Sequence, residues 1–101
     1  MKLLLALLSG LLLAVSGISH AAGDVDAGKT KSSKCTSCHG SKGKGGGAIP
    51  AIAGLDSAMF ISAVNEYKNG KRRFPMMESV ARKLSEQEIA DLAAYYSALP
   101  K

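Results

Sequence analysis

The sequence is poor in the side chains that normally fill a protein core. Its 101 residues include no tryptophan, two phenylalanines and three tyrosines. Cysteine and histidine occur only twice each, and one histidine, His20, stands near the start of the chain. Removal of the segment that carries His20 would leave two cysteines and one histidine, too few for a zinc site built from two pairs of Cys and His ligands. Strand-like alternation of useful length is also missing. A core this thin predicts a staple or a bound group.

Residues 1–21 have the composition of an export signal. Lys2 precedes an apolar stretch from Leu3 to Val15 that Ser9 and Gly10 interrupt, and the small residues Ser19 and Ala21 stand where a signal peptidase cuts. The apolar stretch is shorter than the roughly 20 residues that cross a bilayer, which argues against a membrane anchor. We expect removal of the signal, a single domain over residues 22–101, and a periplasmic location.

The expected domain is all-α, with three to four helices joined by loops. Apolar residues recur at helical spacing in Asp56–Asn69 and in Ser85–Leu99, and each segment predicts a helix. A polar first helix is predicted for Asp24–Cys38. Residues 40–54 contain six glycines and predict a long loop. Residues 71–79 surround a proline and predict a second, extended loop.

Both cysteines and the remaining histidine fall in one motif, Cys35-Thr-Ser-Cys38-His39. A disulfide would leave the histidine unexplained and would close too short a loop to stabilise the fold much. A thioredoxin-like pair needs a preceding strand, and zinc needs further ligands. Covalent haem attachment uses all three residues, because thiols three apart on a helix project to the same side. The motif therefore predicts one haem c bound through Cys35 and Cys38, with His39 as an iron ligand.

The second axial position of such an iron decides between electron transfer and small-molecule chemistry. The candidate ligands are Met59, Met76, Met77, water, or none. Met59 stands among apolar residues of the predicted middle helix, where methionine usually packs in the core. Met76 and Met77 stand in the predicted extended loop, where neighbouring side chains point to opposite sides, so only one can face the iron. Spacing alone leaves these two open.

The order of these motifs resembles that of the class I c-type cytochromes, in particular bacterial monohaem forms and the haem subunit of flavocytochrome c sulfide dehydrogenase. The matching segments are Cys35–Gly40, Gly43, Pro50–Gly54, Tyr67–Gly70, Pro75–Met77, Leu84–Ser85 and Leu92–Tyr95. The resemblance implies the class I cytochrome c fold, wrapped around one covalently attached haem, with Met77 as the second iron ligand.

Further roles follow from the same resemblance. It implies that the carbonyl of Pro50 pairs with the second ring nitrogen of His39, and that Ile52 lies against the haem ring. It also implies that the first and last helices cross at Gly28 and Tyr95. The glycine-rich loop departs from the family pattern in its lysines and in three consecutive glycines, at positions 42 to 47.

The resemblance implies a carrier of single electrons rather than an enzyme, and no set of nucleophile and base is visible in the sequence. Its partners would be redox proteins, with a flavoprotein or a terminal oxidase as candidates, and neither nucleic acid nor membrane insertion is expected. The formal net charge of +5 favours an acidic partner surface. The candidate steering residues are Lys34, Lys42, Lys44, Lys71, Arg72 and Arg73.

Two alternative functions share this fold and motif. The chain could be the haem subunit of a sulfide dehydrogenase complex, in which it accepts electrons from a flavoprotein. It could also be a haem-based sensor whose sixth iron position stays open to a small ligand.

Overall fold

The structure, a computed structural model, describes residues 22–101, and the predicted signal peptide lies outside them. The described part is all-helical, as predicted, apart from one isolated bridge between Gly46 and Ile49. Its five helices are α1 (Val25–Lys31), α2 (Ser33–His39), α3 (Ser57–Asn69), α4 (Pro75–Arg82) and α5 (Glu86–Ser97). Among these helices, none combines the length and the apolarity that a membrane crossing requires.

The predicted first helix is divided into α1 and α2 at Ser32. Asp24 begins α1, where its carboxylate accepts a hydrogen bond from the backbone N–H of Ala27. At the division, the buried Ser32 hydroxyl donates to the carbonyl of Lys29 at 2.7 Å. A serine hydroxyl that bonds a nearby carbonyl competes with the helical ladder and bends it. The chain therefore turns at Ser32, just before the cysteines.

The two later helices predicted from apolar spacing are present with nearly the expected bounds. Asp56 caps α3, accepting hydrogen bonds from two backbone N–H groups, and Gly70 ends it in the left-handed conformation. Ser85 caps α5 and forms a reciprocal capping box with Glu88. These side chains satisfy backbone donors that the helix itself leaves unpaired.

The prediction of an extended loop over residues 71–79 is wrong, because α4 begins within it at Pro75. Phe74 is extended, as expected for a residue before proline, with φ of −164° and ψ of 107°. Proline, however, suits the first position of a helix, where its fixed φ fits and its missing N–H is not needed. Together with the division at Ser32, this helix gives the domain five helices rather than three to four.

The core lies where α3, α4 and α5 meet. Tyr96, Ile89 and Leu92 of α5 are its most deeply buried large side chains. The ring of Tyr96 stacks on that of Phe60 with centroids 5.8 Å apart. The complete cluster is Phe60, Val64, Ala81, Leu84, Ile89, Leu92, Ala93 and Tyr96.

Helix α1 packs against α5 through a glycine. A Cβ atom added to Gly28 would lie 2.1 Å from the carbonyl oxygen of Asp91 and 2.7 Å from Cβ of Tyr95. The Asp91 carboxylate, only 4% exposed, accepts hydrogen bonds from Lys31 Nζ at 2.8 Å and from the backbone N–H of Asp24 at 2.9 Å. The two ends of the domain are therefore joined by close backbone contact and by one buried charge.

Candidate haem-binding site

The glycine-rich loop after α2 folds back beneath the helix end. The carbonyl of Gly43 accepts hydrogen bonds from the backbone N–H groups of Ile52 and Ala53 at 2.8 and 2.9 Å. Gly43 has φ of +70°, and a Cβ there would come within 3.0 Å of the Tyr96 ring. Glycine is therefore required here both for its backbone angle and for the close approach of the ring. The loop brings the Pro50 segment under His39.

His39 ends α2 and is buried, with 8% of its surface exposed. Its Nδ1 lies 2.9 Å from the carbonyl oxygen of Pro50. A carbonyl can only accept, so Nδ1 carries the proton and Nε2 of the neutral ring keeps its lone pair. Such a bond also fixes the orientation of the ring. The imidazole is thus prepared as a nitrogen ligand.

Both cysteines of the motif lie on α2 as free thiols. Cys38 is exposed, whereas Cys35 is half-buried and packs against the hydrophobic core, as Ile52 also does. Burial raises the pKa of the Cys35 thiol. The two thiols stand three residues apart on one helix, and His39 directly follows the second, so the three groups share one helix end.

The three methionine candidates differ in exposure. Met59 on α3 is 60% exposed and Met76 on α4 is 64% exposed, so neither is a core residue. Met77, the next residue of α4, is half-buried. Successive helical residues differ by about 100° around the axis, so Met76 and Met77 leave α4 in different directions. The helix separates the two side chains by about 100° around its axis, rather than placing them on opposite sides as the predicted extended loop would have done.

The sequence did not single out Glu78, the residue after Met77. Its side chain is nearly buried and accepts a hydrogen bond from the backbone N–H of Phe74 at 2.9 Å. Arg73 and Arg82 pair with the same carboxylate. Glu78 stands four residues after the N-cap residue Phe74, one position beyond the glutamate of a capping box, so that pattern does not indicate its role.

The sequence also missed the position of the Tyr96 hydroxyl. The hydroxyl is buried and has no hydrogen-bond partner within the described residues. Burial raises its pKa, and the nearby Cys35 adds to the rise. Tyr96 therefore places a neutral hydroxyl close to one of the two thiols.

Three of the six proposed steering residues form ion pairs within the domain. Lys34 Nζ lies 3.7 Å from Glu88, and Arg72 binds Glu66 through two nitrogens at 2.8 and 3.0 Å. Arg73 is one of the partners of Glu78. Their side chains remain 45% to 76% exposed, so their charges still face solvent.

Comparison with known proteins agrees with this arrangement. The family model described as Cytochrome c matches residues 25–99. Cytochrome c4 from Pseudomonas aeruginosa is 38% identical over 97 residues, covering 95% of this chain and 47% of its own length. Cytochrome c-554(548) from Halomonas halodenitrificans is 39% identical over 80 residues, covering 75% of this chain and 96% of its own length.

Solved structures give the same result. Cytochrome c4 from Acidithiobacillus ferrooxidans superposes with a TM-score of 0.71 at 32% identity, covering 83% of this chain and 53% of that one. The chain therefore spans about half the length of the cytochrome c4 proteins that it matches. Since the family model covers nearly the whole described domain, this chain belongs to the cytochrome c family.

Proposed function

We propose that this chain is a monohaem c-type cytochrome that carries single electrons between redox proteins. The observation that supports it best is the bond between His39 Nδ1 and the Pro50 carbonyl at 2.9 Å. With the Nδ1 proton in that bond, the neutral ring keeps its lone pair on Nε2, at the end of the helix that carries both thiols. Haem c, when bound, supplies an iron that changes its charge by one electron.

The donor set at the end of α2 fits haem c. Cys35 and Cys38 are free and unpaired with each other, so both sulfurs are available for the two thioether bonds. His39 offers a nitrogen lone pair directly beside them. Ile52 packs against the core near this helix end and supplies apolar surface. Attachment through both sulfurs would keep the group in place in a domain whose own core is small.

Met77 is the residue that we assign as the second axial ligand. It follows Pro75 by two residues and precedes Leu84 by seven, which is the spacing of class I cytochromes. Its side chain is half-buried, whereas Met76 is mostly in solvent. His39 and Met77 would hold the group from two sides, and the soft thioether would favour its reduced form. Such a centre suits electron transfer rather than catalysis.

The partners and the location follow from charge and from the export signal. Exposed lysines and arginines would steer an acidic redox partner, and the steering would weaken as salt is added. Residues 1–21 would direct the chain to the periplasm and be removed there. The narrower resemblance to a sulfide dehydrogenase subunit stays a prediction, as does the sensor alternative with an open sixth position.

The intact mass of protein purified from periplasm tests the cofactor. We expect the mass of residues 22–101 plus one haem, and the bare polypeptide mass would refute the proposal.

Met77→Ala should remove the long-wavelength sulfur–iron band of the ferric protein and lower the potential, because the soft sulfur favours the ferrous form. Met76→Ala is the matched control and should leave both unchanged. The reverse result would assign Met76 as the ligand.

A further inference from the structure

Glu78 is hydrogen-bonded to Phe74 across the first turn of α4, through both its backbone and its side chain. Its backbone N–H donates to the carbonyl of Phe74 at 2.9 Å, and its carboxylate accepts from the backbone N–H of Phe74, also at 2.9 Å. The same two residues are thus joined by two hydrogen bonds that run in opposite directions. Pro75, Met76 and Met77 are the three residues enclosed between them.

The hydrogen bond to the Glu78 carboxylate supplies a capping interaction that the side chain of Phe74 cannot make. Phe74 has no side-chain oxygen with which to cap the helix, and it makes no side-chain capping bond. Pro75 has no N–H to donate. The Phe74 N–H is one of the donors that the helix leaves unpaired at its start, and the Glu78 carboxylate provides its partner. A charged acceptor makes this hydrogen bond stronger than a neutral one would.

Two arginines hold the carboxylate in place. Arg73 Nε lies 3.4 Å from Oε2 of Glu78, and a nitrogen of Arg82 lies 3.8 Å from Oε1. The Glu78 side chain is 9% exposed, whereas the arginine side chains are 76% and 58% exposed. A nearly buried carboxylate needs hydrogen bonds and opposite charge. Both oxygens have a partner, so the carboxylate is held against the helix start.

We infer that Glu78 is the positioning residue for Met77, holding the turn that carries its sulfur in the one backbone geometry in which it reaches the iron. The inference rests on the proposed ligation by Met77. A thioether is a weak ligand that the protein must hold in place, so its binding depends on how rigid its backbone is. Without Glu78, the turn over residues 74–78 should open while the rest of the domain stays folded.

The experiment compares Glu78→Ala and Glu78→Gln with the wild-type ferric holoprotein. Alanine removes both the hydrogen bond and the charge, whereas glutamine keeps an oxygen that can accept from Phe74. Glu66→Gln is the matched control, because Glu66 also binds an arginine but lies on α3, away from this turn. The sulfur–iron band and the far-ultraviolet helical signal are recorded as each protein is heated. Hydrogen exchange at the Phe74 amide is measured in parallel.

We expect Glu78→Ala to lose the band at a temperature where the helical signal is still complete, with faster exchange at Phe74. Glu78→Gln should lie between alanine and wild type, and Glu66→Gln should match wild type. If the band and the helical signal disappear together in Glu78→Ala, as in wild type, the inference is wrong. Should the alanine variant fail to fold, the same result in Glu78→Gln together with faster exchange at Phe74 would refute it, because the turn would open without loss of the band. Absence of the band from the wild-type protein would instead refute the ligation by Met77.

Discussion

Replacing Gly28 with alanine tests how closely α1 and α5 approach each other. An alanine Cβ at this position would lie 2.1 Å from the Asp91 carbonyl oxygen. Carbon and oxygen normally stay about 3.3 Å apart, so α1 would have to withdraw by roughly 1 Å. Such overpacking costs about 1–3 kcal/mol, and the withdrawal would also stretch the bonds that Asp24 and Lys31 make to Asp91.

One effect opposes this loss. Alanine stabilises a helix interior by about 1 kcal/mol relative to glycine. The overpacking cost less this gain leaves about 0–2 kcal/mol, and weakening of the bonds to Asp91 raises the expected net destabilisation to about 1–2 kcal/mol. For a domain of this size, that lowers the unfolding midpoint by roughly 5–15 °C. The cost of overpacking exceeds the gain in helix propensity because the added Cβ meets a backbone atom, which cannot rotate away as the end of a side chain can.

Thermal unfolding of the haem-loaded protein, followed by circular dichroism, is the assay. Gly46→Ala is the matched control, since no atom lies within 4 Å of a Cβ built there and its backbone needs no positive φ. We expect the control to match wild type. A Gly28→Ala protein as stable as wild type, or more so, would mean that the two helices separate easily and that their close contact contributes little.

Three further predictions concern α5. Asp91 has its pKa lowered from 3.8 to about 2, chiefly by the hydrogen bond from Lys31, so its contribution is complete above pH 4 and is lost as the pH falls toward 2. Urea unfolding should therefore show Asp91→Asn less stable than wild type at neutral pH but equal to it near pH 2; an unchanged difference would contradict the linkage. Tyr96→Phe should keep or raise the unfolding midpoint, because a buried hydroxyl without a partner costs about 1–3 kcal/mol, and a lower midpoint would reveal a partner in the loaded protein. Ser85→Ala should cost about 1 kcal/mol by removing the capping box, whereas a change below a few tenths would show that water replaces it.

The helices predicted correctly are those whose signals are local. In α5, an apolar stripe and a capping box specify both the helix and its start, and the structure has both. In α3, Asp56 and Gly70 mark the two ends. These features act between residues three or four apart, so they can be recognised without knowledge of the rest of the fold.

The error at α4 arose from treating a proline only as a helix breaker. Residues Met77, Val80, Ala81 and Leu84 follow the spacing of a helical apolar stripe, and this pattern was present in the sequence. The division of the first helix could not have been predicted, because it depends on Ser32 being buried. The roles of Glu78 and Tyr96 depend on which backbone and side-chain atoms the fold brings to them. The two cysteines and His39, by contrast, could be assigned to a haem-attachment motif from their spacing in the sequence alone.

The pairing of α1 with α5 also affects when the domain can form. Asp24 and Asp91 are separated by 67 positions, so the first helix gains its buried partner only when almost the whole chain is available. A contact between such distant segments forms late, because a long loop must close first. Until α5 is available, the helix end that carries the two thiols would stay open, and so accessible for the attachment proposed above. Packing of α5 against α1 would then complete the fold of the domain.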